Sequence, residues 1–206
     1  EKGGQLKYIE EIPNFHMDKM ERPKGDFEFF DLAEYKDVPY PAIDSSELRA
    51  EMFYLNSLPL DEEFVDDGDK VMQNFFNYLR ENDLRLTPEQ LDELNDAIYS
   101  ITPIIFELKY HYNRPRPYQV APKLGLPLEY LEVESAETPA YPSGHSTQGI
   151  FLGHFLADIF PEHRDNLIEI GNNIGISRLI GRLHYPTDDI LGKYLGYGLY
   201  KYYNGK

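Results

Sequence analysis

The sequence predicts an all-α fold, a single-domain helical bundle of five or six core helices over residues 45–206, preceded by an irregular N-terminal arm over residues 1–44. Three observations carry that reading. Apolar residues recur at spacings of three and four along several long stretches. Recognisable helix-start chemistry precedes them. No stretch alternates apolar and polar residues as a half-buried strand does. At 206 residues the chain is long enough to bury roughly 70% of its unfolded surface in one core.

The elements follow in order. Prolines 13, 23, 39 and 41 deny the arm a sustained period, so Phe15, Phe27, Phe29, Phe30 and Tyr35 are expected to pack on the body or on a second subunit, which makes the arm a candidate homodimer contact. Ser45 and Ser46, ahead of Glu47-Leu48-Arg49, cap a first helix reaching about Leu58. Phe64, Val71, Met72, Phe75 and Leu79 fall near one helical face, with Gly68 delaying that helix to its own neighbourhood. The run Asp66-Asp67-Gly68-Asp69 lacks the alternating ligands and closing glutamate of a calcium loop and reads as a solvated helix start. Thr87-Pro88-Glu89-Gln90 has the capping-box pattern with proline at the first helical position. Behind it Leu91, Leu94, Ile98, Ile101, Ile105, Leu108 and Tyr112 form a core-facing stripe, kinked at Pro103.

That helix delivers Lys109, then gives way to the extended Asn113-Arg114-Pro115-Arg116-Pro117. Residues 122–141 read as a loop forming a lid or rim. Pro142-Ser143-Gly144-His145 opens a helix whose Gly149, Gly153 and Ala157 suit close helix contact, with His154 and Asp158 as a surface pair. The last two helices are expected from about Glu162 to His184 and from Thr187 to Tyr203.

Composition excludes several function classes. Thirty-six acidic against 20 basic residues give a net charge of −16, which repels nucleic acid and anionic membrane. No apolar run approaches the roughly 20 residues of a membrane span. The chain has no cysteine, so disulfides and thiolate metal sites are excluded. It begins at Glu1 rather than methionine, so an upstream segment, such as a signal peptide, is expected to have been removed.

The stretch from Ile176 to Asp188 holds the candidate chemistry. On a helical period Ile170, Ile174, Ser177, Gly181 and His184 share an inward stripe, with Arg178 close enough to reach the same space. Pro186 is expected to break the helix directly after His184, leaving Asp188 at the next helix start, where it can bond one imidazole nitrogen. A histidine oriented by a carboxylate beside a cation is a nucleophile suited to an anionic substrate.

Three segments complete a pattern: Lys-x6-Arg-Pro at Lys109–Pro117, Pro-Ser-Gly-His at Pro142–His145, and Ser-Arg-x5-His-x3-Asp at Ser177–Asp188. In these residues the chain resembles the type-2 phosphatidic acid phosphatase superfamily over about residues 88–200. Its size and lack of spans are most similar to the class A bacterial acid phosphatases. Arg114-Pro115 repeats the Arg-Pro dipeptide at the wrong spacing, so the resemblance selects Arg116 and leaves Arg114 a supporting part.

The resemblance implies a metal-independent acid phosphatase acting on small phosphate monoesters, periplasmic or secreted. Lys109, Arg116, Ser143, Gly144 and Arg178 would bind phosphate. His184 would form a phosphohistidine, Asp188 would hold its tautomer, and His145 would serve as acid and then base. The chemistry agrees: convergent cations and a helix N-terminus are what a phosphate dianion needs. No cofactor is implied. Vanadate is expected as an inhibitor, or as the cofactor in the alternative of a vanadium-dependent haloperoxidase using the same cage. A further alternative is a soluble lipid-phosphate phosphatase. The leaving-group side is expected from residues 118–141 and aromatics such as Tyr118 and Tyr141.

Overall fold

A computed structural model describes residues 6–206; the first five residues of the arm lie outside the described residues. The helices are α1 (Asn14–Met20), α2 (Ser46–Ser57), α3 (Glu62–Asp69), α4 (Val71–Glu81), α5 (Pro88–Tyr112), α6 (Pro117–Leu124), α7 (Gly144–Ile159), α8 (Arg164–Ile180) and α9 (Pro186–Asn204). Short 3₁₀ turns punctuate the connections, and no strand occurs among the described residues. The fold is all-α.

Local chemistry sets the helix starts. Ser45 Oγ accepts from the Leu48 N–H at 3.1 Å, and Asp61 Oδ1 from the Phe64 N–H at 3.0 Å. Thr87 and Gln90 close a reciprocal box at 3.1 and 2.9 Å. Each satisfies amide donors that a helix cannot satisfy internally. Such caps stabilise a helix by about 0.5–2 kcal/mol apiece.

The core joins α4, α5, α7, α8 and α9 through residues such as Phe75, Ile101, Leu108, Phe151, Leu156, Ile174 and Leu195. With α3 laid against α8, this makes six helices in the body. Burying each large apolar side chain contributes about 1.5–3 kcal/mol. Phe27 and Tyr35 of the arm are buried in the same core, while Phe15 and Phe29 stay exposed. Helix α7 is central, lying against both α8 and α9. Glycine makes that approach close enough: a methyl group on Gly171 of α8 would overlap the carbonyl oxygen of Gly149 on α7.

Several expectations need correction. The stretch from Phe64 to Leu79 is two helices, because the chain leaves helical geometry at Lys70 (φ −92°, ψ 66°). Asp66–Asp69 therefore closes α3 rather than starting a helix, and Asp69 turns inward. Residues 122–141 are not all loop, since α6 runs to Leu124 with Pro117 at its first position. Leu91 is exposed and leaves the stripe to Leu94. Asp158 bonds Arg164, Tyr200 and Asn204, whereas His154 stacks on Tyr200, so the two do not form a pair.

The largest correction concerns the end of α8. The helix stops at Ile180, and Arg182 takes a left-handed conformation at φ 57° that redirects the chain. His184 is thus off the helix, and Pro186 serves as the first residue of α9 rather than as the breaker. The buried Arg182 guanidinium pins this turn by donating to the carbonyls of Leu55, Leu58 and Glu129.

Gly171→Ala is expected to lower stability by about 1–3 kcal/mol through overpacking, net of alanine's better helix propensity. Urea unfolding measures it, with Gly205→Ala, whose added carbon would come no nearer than 3.4 Å to a neighbour, as the near-neutral control.

Candidate active site

The C-terminal end of α5 carries the first cations. Lys109 is buried, and its ammonium donates to the Pro139 carbonyl at 2.7 Å. Burial, then the nearby Arg116 charge, holds its pKa well below the usual lysine value. Asn113 ends the helix in a left-handed conformation, φ 49°, which turns the following residues back under the bundle.

Arg114 and Arg116 are both buried and have different partners. Arg116 donates through Nε to the Thr138 carbonyl (2.7 Å), through Nη2 to Thr138 Oγ1 (3.0 Å), and through Nη1 to the Leu183 carbonyl (2.8 Å) and His184 Nε2 (2.9 Å). Arg114 donates to Asp188 Oδ1 (2.7 Å), Thr187 Oγ1 (2.7 Å) and Glu51 Oε2 (3.1 Å). Its guanidinium lies against the rings of Tyr185 and Tyr40 at 3.8 and 4.5 Å. Arg116 therefore meets the histidine, and Arg114 meets the carboxylate behind it.

His184 is held at both ring nitrogens. Nδ1 lies 3.0 Å from Asp188 Oδ2, which also accepts from the Tyr185 N–H at 2.9 Å. An ionised carboxylate accepts, so Nδ1 carries the proton and Nε2 presents its lone pair. Burial, followed by the charges of Arg116 and Lys109, keeps the His184 pKa well below the ordinary value. Burial also pushes the Asp188 carboxyl up to about 6, against the pull of Arg114.

Ser143 caps α7 by accepting from the Ser146 N–H at 3.2 Å, and its own N–H donates to the Asp188 carbonyl at 3.0 Å. Gly144 and His145 form the first turn of α7, where backbone donors and the helix dipole favour an anion. His145 Nε2 lies 3.1 Å from Asp69 Oδ1. Asp69 also accepts from Arg178 Nη1 (2.9 Å) and Ser135 Oγ (2.5 Å), and Arg178 Nη2 donates to the Val65 carbonyl. His145 titrates below its ordinary value through burial, opposed by its bond to Asp69. Led by the His145 bond, these contacts hold the Asp69 carboxyl far below the usual range.

One cavity of about 440 Å³ is lined by Lys109, Gly144, His145, His184, Asp69 and Thr138, with Ser143 and Asp188 bonded behind it. Arg116 and Arg178 stand directly behind His184 and Asp69. Every residue expected from sequence for phosphate binding or catalysis is thus grouped at one end of the bundle. The expected leaving-group aromatics are not there. Tyr141 is buried in the core, and Tyr118 stacks on Tyr130 beside a different cavity. Among the described residues, no three carboxylate or imidazole groups converge as a metal site would require.

Asp69 was missed by sequence reasoning. Its signal was the glycine before it: a methyl group on Gly68 would overlap Ser177 Oγ, so only glycine lets α3 press this close to α8.

The end of the helical bundle thus gathers buried cations around the His184 imidazole, with His145 on the same cavity. The chain belongs to the PAP2 superfamily, which matches residues 95–203, a stretch that includes every site residue from Lys109 to Asp188. An acid phosphatase of Zymomonas mobilis subsp. mobilis is similar, with 27% identity over 106 residues. That match covers 52% of this chain and 40% of the relative, so the chain spans less than half the length of the protein it resembles. Among the described residues, no helix is long and apolar enough to cross a membrane.

Arg114→Met should cost about 3–5 kcal/mol, because it strands the Asp188 and Glu51 carboxylates without their buried partner. Denaturant unfolding at neutral pH reads the loss.

Proposed function

We propose that this chain is an acid phosphatase that hydrolyses small phosphate monoesters through a phosphohistidine on His184, with no metal required. The observation that carries the reading is the His184 imidazole. Asp188 orients it, Arg116 meets its free nitrogen at 2.9 Å, and it lies beside Lys109 and the α7 N-terminus.

A phosphate accepting from Arg116, Lys109 and the Gly144 N–H would draw the guanidinium away from Nε2 and free the lone pair. His184 Nε2 then attacks phosphorus in line, and the bond to the ester oxygen breaks as His145 donates its proton to that oxygen. Water, giving a proton to His145, next displaces the imidazole and releases inorganic phosphate. Arg178 and Arg116 stabilise the charge on the transferring group, and each fixed donor of this kind lowers the barrier by about 2.7–4 kcal/mol. Fixed cations here fill the electrostatic role that a divalent ion has elsewhere. The similarity to the Zymomonas acid phosphatase supports the same reaction class.

Asp69 has a defined part in this scheme. Its carboxylate favours the protonated form of His145, so it holds the general acid charged to a higher pH than burial alone would allow. The working state needs His184 neutral and His145 protonated, so kcat/KM should peak at mildly acidic pH and fall on the alkaline side as His145 loses its proton.

His184→Ala should abolish hydrolysis of p-nitrophenyl phosphate, and a variant keeping most of its activity would refute the nucleophile. Vanadate should inhibit competitively, whereas EDTA should leave the rate unchanged. Asp69→Asn should move the alkaline limb of the kcat/KM profile to lower pH; an unmoved limb would remove Asp69 from the scheme.

A further inference from the structure

The cavity above His184 is far larger than a phosphate ion, within the roughly 300–1,000 Å³ that small-molecule sites enclose. Its outer wall comes from α1 of the arm, which lies on α5. Phe15, His16 and Lys19 of α1 face the same space as Thr102 and Phe106 of α5. Resting on the phosphatase reading above, we infer that this wall selects the leaving group, and that it favours monoesters whose alcohol carries a planar aromatic ring.

The chemistry of the wall supports this. His16 is buried and fixed, with Nδ1 bonded to the Tyr110 hydroxyl. Its ring lies 4.0 Å from Phe15 and 5.2 Å, edge-on, from Phe106. Lys19 holds its ammonium 5.1 Å from the Phe106 centroid. The result is an aromatic cluster anchored at one side by His16–Tyr110 and left open at Phe15, which is 58% exposed. A large aromatic side chain lining a cavity mouth while facing water is a surface with area still to bury. Rings packed tilted and edge-on among themselves present geometry that a further ring can join.

The rest of the lining differs. Glu134, Ser135 and Glu137 supply polar and acidic groups, so the aromatic contact comes from the residues of α1 and α5. The wall touches the leaving group alone, since the phosphate end is formed by Lys109, Gly144, His145 and His184.

The experiment compares binding of three non-hydrolysable phosphonates by calorimetry: 2-phenylethylphosphonate, 2-cyclohexylethylphosphonate and propylphosphonate. The matching phosphate esters, all with primary-alcohol leaving groups of similar acidity, are compared by kcat/KM. We expect the phenyl compound to lead the propyl one by about fivefold or more, with the cyclohexyl compound behind it. Phe15→Ala should bring phenyl and propyl within about twofold, with the larger loss falling on the phenyl compound. Equal binding of all three, a cyclohexyl compound equal to the phenyl one, or a preference that survives Phe15→Ala would overturn the inference. Propylphosphonate binding without turnover of any ester would instead overturn the phosphatase reading, and the affinity order would still judge the wall. If none of the phosphonates bound, both would fall.

Discussion

Burying several like charges at one end of a helical bundle is the constraint on which this structure turns. Lys109, Arg114, Arg116 and Arg178 are all buried there, and an unpaired ion in such surroundings costs several kcal/mol. The fold answers each one with a specific acceptor. Arg116 and Lys109 are met mainly by backbone carbonyls from 138, 139 and 183, so the chain segments supplying those carbonyls must take one fixed course. Arg114 and Arg178 are met by the carboxylates of Asp188 and Asp69. Asp188 does more than neutralise charge. Its side chain joins Arg114, His184 and the Tyr185 amide, and its backbone carbonyl receives the Ser143 amide, so one residue binds the α5, α7 and α9 ends together.

The same charges separate the two imidazoles. His184 is surrounded by cations and burial, all of which disfavour its protonated form. His145 experiences burial and Arg178 too, but Asp69 acts against them. Two residues of one type, in one cavity, are thereby biased differently: Asp69 offsets burial at His145, whereas burial and the surrounding cations prevail at His184 although Asp188 bonds its Nδ1. Asp69 gets there because α3 ends at it and because Gly68 lets α3 approach Ser177.

Much of this was legible in the sequence, and what was not has a physical reason. Capping boxes and apolar stripes are local, so the Thr87 start and the long α5 were readable from neighbours a turn away. The Pro-Ser-Gly-His turn and the His184–Asp188 spacing were equally local. Three features depended on distant partners. Asp69 sat in an acidic run that looked solvated, and only Arg178, 109 residues on, draws it inward. The end of α8 at Ile180 is not visible in the sequence, because a left-handed Arg182 carries no glycine to mark it. The carbonyls of Leu55, Leu58 and Glu129 that receive its guanidinium come from other parts of the chain. Tyr118 and Tyr141 lie near the site residues in sequence, yet one stacks on Tyr130 and the other completes the core.

The chain thus divides its labour along its length. The cradle of buried cations around His184 lies wholly within residues 95–203, the part that matches the superfamily. Asp69, which biases His145, and Phe15, His16 and Lys19, which line the outer cavity, all precede that stretch. Chemistry at phosphorus needs groups fixed to a fraction of an ångström, which a glycine-packed bundle supplies. Discrimination among leaving groups needs only a surface at the right distance, which an arm laid across α5 can provide. A protein sharing the 95–203 pattern but carrying a different N-terminal arm would therefore retain the cradle and replace the wall.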